Sequence, residues 1–179
     1  MEMTSSLPSS SPSPLSKLKS LALSDIKDIE SLPDEWLLNL NSLNSLSIEC
    51  CPRLASLSGV LRYLTSLERL TIEDCNEFSP FSDVDDDGME WKRLNCLRYL
   101  YFTGLPKLKS LPAGLQHIAT LQSLEISVCH NLMSLPEWMC CLSSLKKLII
   151  TACPQLKEKY GRRIGEDWDK IAHIPHIVI

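Results

Sequence analysis

The sequence predicts an α/β solenoid, in which short repeats stack and place one curved parallel β-sheet along the concave face. The first observation is an order of apolar residues that begins at Leu121 and returns 24 residues later at Leu145. The second is that the same order begins 24 residues earlier, at Leu97. Self-similarity at a fixed interval of this size is the signature of a repeat architecture. Six units fit the pattern, and they begin at Leu18, Leu43, Leu67, Leu97, Leu121 and Leu145.

Each unit combines two periods of apolar residues. Leu124 and Ile126 alternate with polar residues, which predicts a short strand whose apolar side chains are buried. From Leu135 to Leu142 the spacings are three and four, which fit a turn of α- or 3₁₀-helix, and Pro136 suits the start of such a turn. Strands about 4.8 Å apart on one side and bulkier turns on the other force the stack to curve. These features are typical of a leucine-rich-repeat solenoid with helical turns and loops on its convex face.

The pattern divides the chain into three parts. Residues 1–14 are rich in serine and proline, so we expect a disordered leader that buries too little apolar surface to order. Residues 15–156 form the array of six repeats. An acidic insertion at 82–91 lengthens the interval between the third and fourth units to 30 residues. Residues 157–179 leave the pattern and are predicted to cap the last repeat.

The two ends of the array differ. In the C-terminal segment, Ile164, Trp168 and Ile171 fall on one face of a predicted helix, which suits a cap. No comparable segment precedes Leu18, so we expect poorly covered leucines in the first repeat. We hypothesise that the chain is the tail of a longer solenoid.

The acidic insertion matches part of a calcium-binding loop. Asp83, Asp85, Asp87 and Gly88 occupy the first, third, fifth and sixth positions of an EF-hand loop. The last position should be a glutamate that binds calcium through both oxygens, and here it is Leu94. The flanking residues also belong to repeats instead of a helix pair. We therefore expect an acidic surface loop without a metal.

Half of the eight cysteines occupy one position of the repeat, eight residues after its first leucine. They are Cys51, Cys75, Cys129 and Cys153. At this position the chain turns inward, and a small, easily buried thiol with weak hydrogen-bonding capacity suits it. Among the others, Cys140 and Cys141 are adjacent, as are Cys50 and Cys51, and neighbours in sequence are not expected to turn to one zinc ion. The sequence predicts structural thiols, and no metal or cofactor.

Charge and hydropathy narrow the class of protein. The net charge of −4 gives no electrostatic reason to bind nucleic acid. Apolar runs are far short of the ~20 residues of a membrane span, and the N-terminus lacks the parts of a secretory signal, so we expect a cytoplasmic protein. No serine, histidine and acid set can be assigned, so we expect no enzyme. His173 and His176 have no further ligand nearby and are interpreted as partly buried cap residues.

Alternate residues of each predicted strand face the concave side. In the fourth unit these include Tyr99 and Tyr101, side by side near the centre of the sheet. Tyrosine and arginine are enriched at the energetic centres of protein interfaces, because they offer a large area with a polar end. The alternative is that two tyrosines are merely tolerated on a sheet surface. We predict a partner-binding face made of Arg69, Glu73, Tyr99, Tyr101, Glu125 and Lys147.

Two stretches resemble a known family. Residues 129–136 read C-x-x-L-x-x-L-P, which resembles the C-terminal repeats of plant intracellular nucleotide-binding leucine-rich-repeat disease-resistance proteins. The sequences G-E-D-W at 165–168 and I-A-H-I-P at 171–175 are similar to the ending of that family's coiled-coil class. The resemblance implies a segment that recognises a pathogen effector, or a host protein altered by one, in the defence response. It also implies contact with the nucleotide-binding domain of a full-length receptor.

One departure and one alternative qualify this resemblance. The chain has no G-x-x-x-x-G-K-[ST] phosphate loop, so it does not itself carry the family's nucleotide-dependent switch. The alternative is a substrate-recruiting adaptor of a ubiquitin ligase, whose leucine-rich repeats also carry cysteine. Such an adaptor should have an F-box-like helical region ahead of the repeats, which residues 1–14 cannot supply.

Overall fold

The computed structural model describes residues 14–33, 40–81, 88–162, 164 and 166–179. Its centre is one parallel sheet of seven strands, which lie in the order of the chain. The strands are β1 (Ser20–Ser24), β2 (Ser45–Glu49), β3 (Arg69–Glu73), β4 (Tyr99–Thr103), β5 (Ser123–Ser127), β6 (Lys147–Thr151) and β7 (His176–Val178). The predicted leucine-rich-repeat solenoid is confirmed, with one strand more than the six repeats predicted.

A 3₁₀ turn, Pro14–Lys17, precedes β1. The convex side carries further short 3₁₀ turns that stack in sequence, and they are Leu61–Tyr63, Met89–Arg93, Ala113–His117 and Glu137–Cys141. The last two begin directly after a proline in extended conformation, with φ −65° at Pro112 and −67° at Pro136. Proline lacks a backbone N–H, but no hydrogen bond is lost there, because the first N–H groups of a helical turn have no acceptor within the turn.

The strands pair without any offset between repeats. Leu100 is opposite Leu124, which is opposite Leu148. Two positions later in each strand, Phe102, Ile126 and Ile150 are paired in the same way. Side chains in β2 to β6 therefore alternate between a fully buried inner set and a concave outer set. Each inner leucine packs against its equivalents in the neighbouring repeats, so the core is a ladder that runs the length of the stack.

The residue after each repeat strand adopts a left-handed backbone conformation. The set is Asp25, Cys50, Asp74, Gly104, Val128 and Ala152, with φ between 49° and 61°. In all of these residues except Ala152, the backbone N–H donates to the carbonyl of the last strand residue of the next repeat. The distance from the Val128 nitrogen to the Thr151 oxygen, for example, is 3.0 Å. This geometry ends the strand and turns the chain inward. It favours glycine and strains Val128, whose branched side chain crowds the backbone.

The cysteine column lies buried immediately after this turn, which confirms the predicted structural thiols. The Cys129 thiol donates to the Ser127 carbonyl, with 3.3 Å between sulfur and oxygen. The Cys153 sulfur accepts the Cys129 N–H at 3.4 Å, so a thiol of one repeat satisfies the backbone of the one before it. Burial raises the pKa of Cys75 to about 11.

The C-terminal cap differs from the prediction. It consists of helix α1 (Pro154–Tyr160), the four-residue helix α2 (Glu166–Asp169) and strand β7. The predicted apolar face through Ile164, Trp168 and Ile171 is wrong at its first member, because Ile164 precedes α2 and is 69% exposed. The buried residues of these cap elements and the turn between them include Leu156, Tyr160, Ile171 and Ile174.

Two polar contacts hold the cap on the fifth repeat. The buried Tyr160 hydroxyl accepts the Leu135 N–H at 3.0 Å, where α1 replaces the second half of the sixth repeat. Lys170 Nζ lies 2.7 Å from a Glu137 oxygen and 2.9 Å from an Asp167 oxygen. Its side chain is only 14% exposed, and these two hydrogen bonds raise the pKa of Lys170, Glu137 contributing most.

The structure describes the N-terminal end of the repeat array and the acidic insertion only in part. In the first repeat Leu18, Leu21 and Leu23 are only partly buried, as expected. Residues 1–13 of the predicted leader lie outside the described residues. So do 82–87 of the insertion, including the three aspartates of the calcium-loop match. Where the structure resumes, Trp91 is buried, donates to the Pro80 carbonyl at 3.0 Å and meets the Phe102 ring edge-on.

Shortening one leucine of the ladder should destabilise the fold strongly. Leu124 is fully buried in β5, which has a paired strand on each side. We expect Leu124→Ala to lower the free energy of unfolding by ~2–5 kcal/mol, because it opens a cavity between neighbouring repeats. Urea denaturation followed by circular dichroism measures this. Met133→Ala is the matched control, since Met133 is exposed and its loss should change stability by less than ~0.5 kcal/mol. Equal effects of the two variants would contradict the buried ladder.

Relieving the backbone strain after β5 should stabilise the protein. We expect Val128→Gly to raise the free energy of unfolding by about 0.5–1 kcal/mol, because glycine adopts positive φ without crowding. Gly104→Ala should do the reverse. An added Cβ at Gly104 would lie 2.0 Å from an Asp74 carboxylate oxygen, in addition to the unfavourable φ of 61°. Paired thermal denaturation curves test this, and a lower midpoint for Val128→Gly would show that the valine packing outweighs the strain.

Buried thiols should make the fold sensitive to alkaline pH. The pKa of Cys75 is about 11 in the folded protein against 9.0 for an ordinary thiol. The unfolded chain therefore loses this proton first, so the free energy of unfolding falls as the pH rises between these values. We expect Cys75→Ala to remove about 2 kcal/mol of that fall. Urea titrations from about pH 8 to pH 11 test it, with the exposed Cys96→Ala as control. Parallel pH curves for the three proteins would contradict the assignment.

Candidate functional site

All six residues of the predicted partner-binding face lie on the concave side of the sheet. Strand register places Arg69 opposite Tyr99, and Tyr101 opposite Glu125. Glu73 and Lys147 occupy the same outward set at the two flanks. The structure therefore brings these side chains to one surface, on the four consecutive strands β3 to β6.

Tyr99 is held in place by its neighbours on both sides. The Arg69 guanidinium lies over the Tyr99 ring, with 4.8 Å between its central carbon and the ring centroid. On the other side the register places Ser123, a small residue that is only 7% exposed. An arginine stacked on an aromatic face keeps its N–H groups available at the edges. The stack thus presents a flat aromatic surface together with hydrogen-bond donors.

Charge on the concave face is mixed, since Arg69 shares a strand with Glu73 and Glu125 lies one strand from Lys147, but carboxylates cluster at one corner. Carboxylates gather where β2 and β3 end, at Glu49, Glu73 and Asp74, and Glu49 accepts a hydrogen bond from Ser47 at 2.7 Å. Cys50 lies in the same corner. Desolvation, and then four surrounding carboxylates, raise the pKa of its thiol. At the other end Lys147 is exposed and carries a positive charge. The tyrosines lie between the two ends.

Sequence reasoning missed part of this face. Strand β7 pairs with β6 and places His176 beside Lys147, and Val178 beside Ile149. His176 is exposed and Val178 is 41% exposed, so both extend the outward set by one strand. The signal was the run of β-branched residues I-V-I at 177–179, which favours a strand but is too short to stand out.

The interpretation of the two C-terminal histidines as partly buried is wrong. Both side chains are exposed, because His173 follows the last helix and His176 faces the concave side. One ring nitrogen of His173 lies 3.3 Å from the Leu142 carbonyl. In the ranges that the structure describes, no three histidine, cysteine or acidic side chains are close enough to hold a metal ion. Nor does any described helix have the length and apolarity to cross a bilayer.

Comparison with known proteins identifies the family of this chain. Residues 10–158 match the family profile described as plant disease resistance protein RPS2-like, leucine-rich repeats. The chain belongs to this family. Its repeats are of a kind that typically binds proteins, and neither the family nor the fold indicates a catalytic activity.

Relatives by sequence are also plant disease resistance proteins. RPS4B of Arabidopsis thaliana is 31% identical over 117 residues, which are 65% of this chain and 9% of that protein. RPP4 of Arabidopsis thaliana is 28% identical over 160 residues, or 78% of this chain and 13% of that protein. The putative disease resistance protein RGA4 of Solanum bulbocastanum is 37% identical over 54 residues, which are 30% of this chain and 6% of that protein. The chain thus spans a small part of the length of each relative.

A solved structure supports the fold. The leucine-rich repeat domain of the type III effector XCV3220 (XopL) superimposes with a TM-score of 0.52. The match covers 76% of this chain and 53% of that chain at 22% sequence identity. At this identity the likeness shows the leucine-rich-repeat fold and carries no information about the partner.

Proposed function

We propose that this chain is the protein-binding segment of a plant immune receptor of the coiled-coil class, which acts in the cytoplasm. In this proposal its concave face recognises a pathogen effector or a modified host protein in the defence response. The observation that carries the proposal is the stack of Arg69 on Tyr99 beside Tyr101, on the exposed side of the sheet. Membership of a family of disease resistance proteins supports the biological setting.

The composition of the concave face fits a protein partner. Tyr99 and Tyr101 occupy alternate positions of β4, so their rings project from the same surface. Both remain partly exposed, which leaves aromatic area for a partner to cover. Residues of this type at the centre of a patch, with charged groups around them, have the arrangement found at interface hot spots.

The acidic corner of the concave face suggests how a partner is oriented. A partner with basic groups toward Glu49 and Glu73, and acidic groups toward Lys147, would be attracted more strongly than in the reversed orientation. His176 and Val178 of the cap would then contact the acidic end of the partner. We further propose that the nucleotide-binding domain of a full-length receptor is a second partner, since this chain lacks a phosphate loop of its own.

The family match favours this function over a ubiquitin-ligase adaptor. The matched profile is that of disease resistance proteins, and the relatives above carry the same description. The coiled-coil class rests on the resemblance of the C-terminal sequence. The cytoplasmic location rests on the sequence analysis.

Removing the two tyrosine rings should weaken partner binding and spare the fold. The chain is first screened against purified candidate effectors, and one that binds is titrated by calorimetry. We expect Tyr99→Ala with Tyr101→Ala to weaken that binding by ~30-fold or more, which corresponds to the loss of at least one hot spot of ~2 kcal/mol. The urea midpoint of the variant should stay close to that of the unmodified chain.

A tyrosine on the other side of the molecule provides the matched control. Tyr63 lies on the convex side in the turn Leu61–Tyr63, where Arg62 stacks on its ring at 4.8 Å, so the pair mirrors Arg69 and Tyr99. Tyr63→Ala should leave binding unchanged. If Tyr63→Ala weakens binding as much as the concave variant, the concave face is not the binding site. If the concave variant unfolds, Tyr99 and Tyr101 are structural residues.

A further inference from the structure

We propose that Cys140 and Cys141 form a dithiol site that captures a trivalent, thiol-seeking ligand of the organoarsenic(III) class through both sulfurs. The two residues close the 3₁₀ turn Glu137–Cys141, and both side chains are exposed. Their sulfur atoms lie 3.8 Å apart. Neither residue occupies the buried cysteine column, so neither is explained by the repeat. The site is also separate from the concave face.

The convergence of these sulfurs contradicts the expectation from sequence. Adjacent cysteines were not expected to turn toward one centre, and Cys50 and Cys51 do diverge, since one is exposed and the other buried. Cys140 and Cys141 differ because both belong to a tight turn on the convex surface, where neither side chain faces the core. Both sulfurs are therefore free to point to the same solvent-exposed position.

The geometry favours a shared ligand over a disulfide. A disulfide needs Cα atoms about 4.4–6.8 Å apart and sulfurs at about 2.05 Å, whereas consecutive Cα atoms across a trans peptide are about 3.8 Å apart. A central atom bonded to both sulfurs at about 2.3 Å needs no such strain. With the sulfurs 3.8 Å apart, the angle at that atom would be about 110°, and a small rotation of the two side chains closes it to the narrower angle of a pyramidal arsenic(III) centre.

The surroundings limit the ligand to one that needs only two thiols. Zinc in a structural site takes four protein ligands. Throughout the described ranges no third histidine, cysteine or acidic residue completes such a set, and Glu137 of the same turn is engaged by Lys170 at 2.7 Å. An arsenic(III) centre with one organic substituent has two exchangeable positions left, and two thiols fill them.

The reaction conserves oxidation states. For phenylarsine oxide, the two S–H bonds and the arsenic–oxygen bond break and two arsenic–sulfur bonds form. The oxygen leaves with both protons as one water molecule, and neither arsenic nor sulfur is oxidised or reduced. The hydrogen bond with Cys141 raises the pKa of Cys140, which favours the thiol over the thiolate at that residue and slows its reaction with single-thiol alkylating reagents.

Phenylarsine oxide is the probe for the test. The full chain is mixed with less than one equivalent under native conditions, in the presence of excess glutathione, and its intact mass is measured. We expect one adduct per chain, which glutathione fails to remove and a small dithiol removes. Cys140→Ser and Cys141→Ser should each weaken capture by at least ~100-fold, because the second sulfur binds as an intramolecular partner.

Exposed cysteines elsewhere in the chain provide the controls. Cys50→Ser and Cys96→Ser remove equally exposed thiols that lie outside the pair, and both variants should retain the adduct. Circular dichroism verifies that all four variants are folded. The proposal is overturned if either serine variant of the pair keeps the adduct, if either control loses it, or if glutathione alone prevents its formation.

Discussion

The structure depends on the in-register pairing of its parallel strands. Each repeat is too small to bury its own apolar residues, so Leu124 is covered only because Leu100 and Leu148 are held directly beside it. The backbone enforces this alignment twice per repeat, once along the strand and once through the left-handed residue that follows it. A shift by one residue would exchange the buried and concave sets, so register and burial support each other.

The same constraint leaves the concave positions free to vary. Inner positions must be apolar and must match between repeats, whereas an outer residue needs only to be compatible with the backbone conformation of a strand. Consequently β2 presents serines and a glutamate where β4 presents Tyr99 and Tyr101, on the same backbone. The difference in charge between Glu73 on β3 and Lys147 on β6 arises in this way. The fold fixes where a contact can be made, and the outer residues decide what is contacted.

Sequence alone was sufficient wherever the pattern repeats. Six copies confirm one another, so strand positions, the cysteine column and the outward direction of Tyr101 and Glu125 could all be predicted. Prediction failed for features that occur once. Ile164 has the spacing of a helix face, but the chain starts its short helix only after it. The meeting of Cys140 with Cys141 depends on the side-chain directions in one turn, which no periodicity specifies.

The cap shows why single features matter at the end of a repeat stack. Strand β6 would expose its unpaired edge if β7 did not pair with it. Leu135 would likewise have a buried N–H without a partner, and the Tyr160 hydroxyl supplies one. Because β7 closes the sheet in the same register, it also adds His176 and Val178 to the concave face. The segment that ends the core therefore also extends the surface proposed for binding.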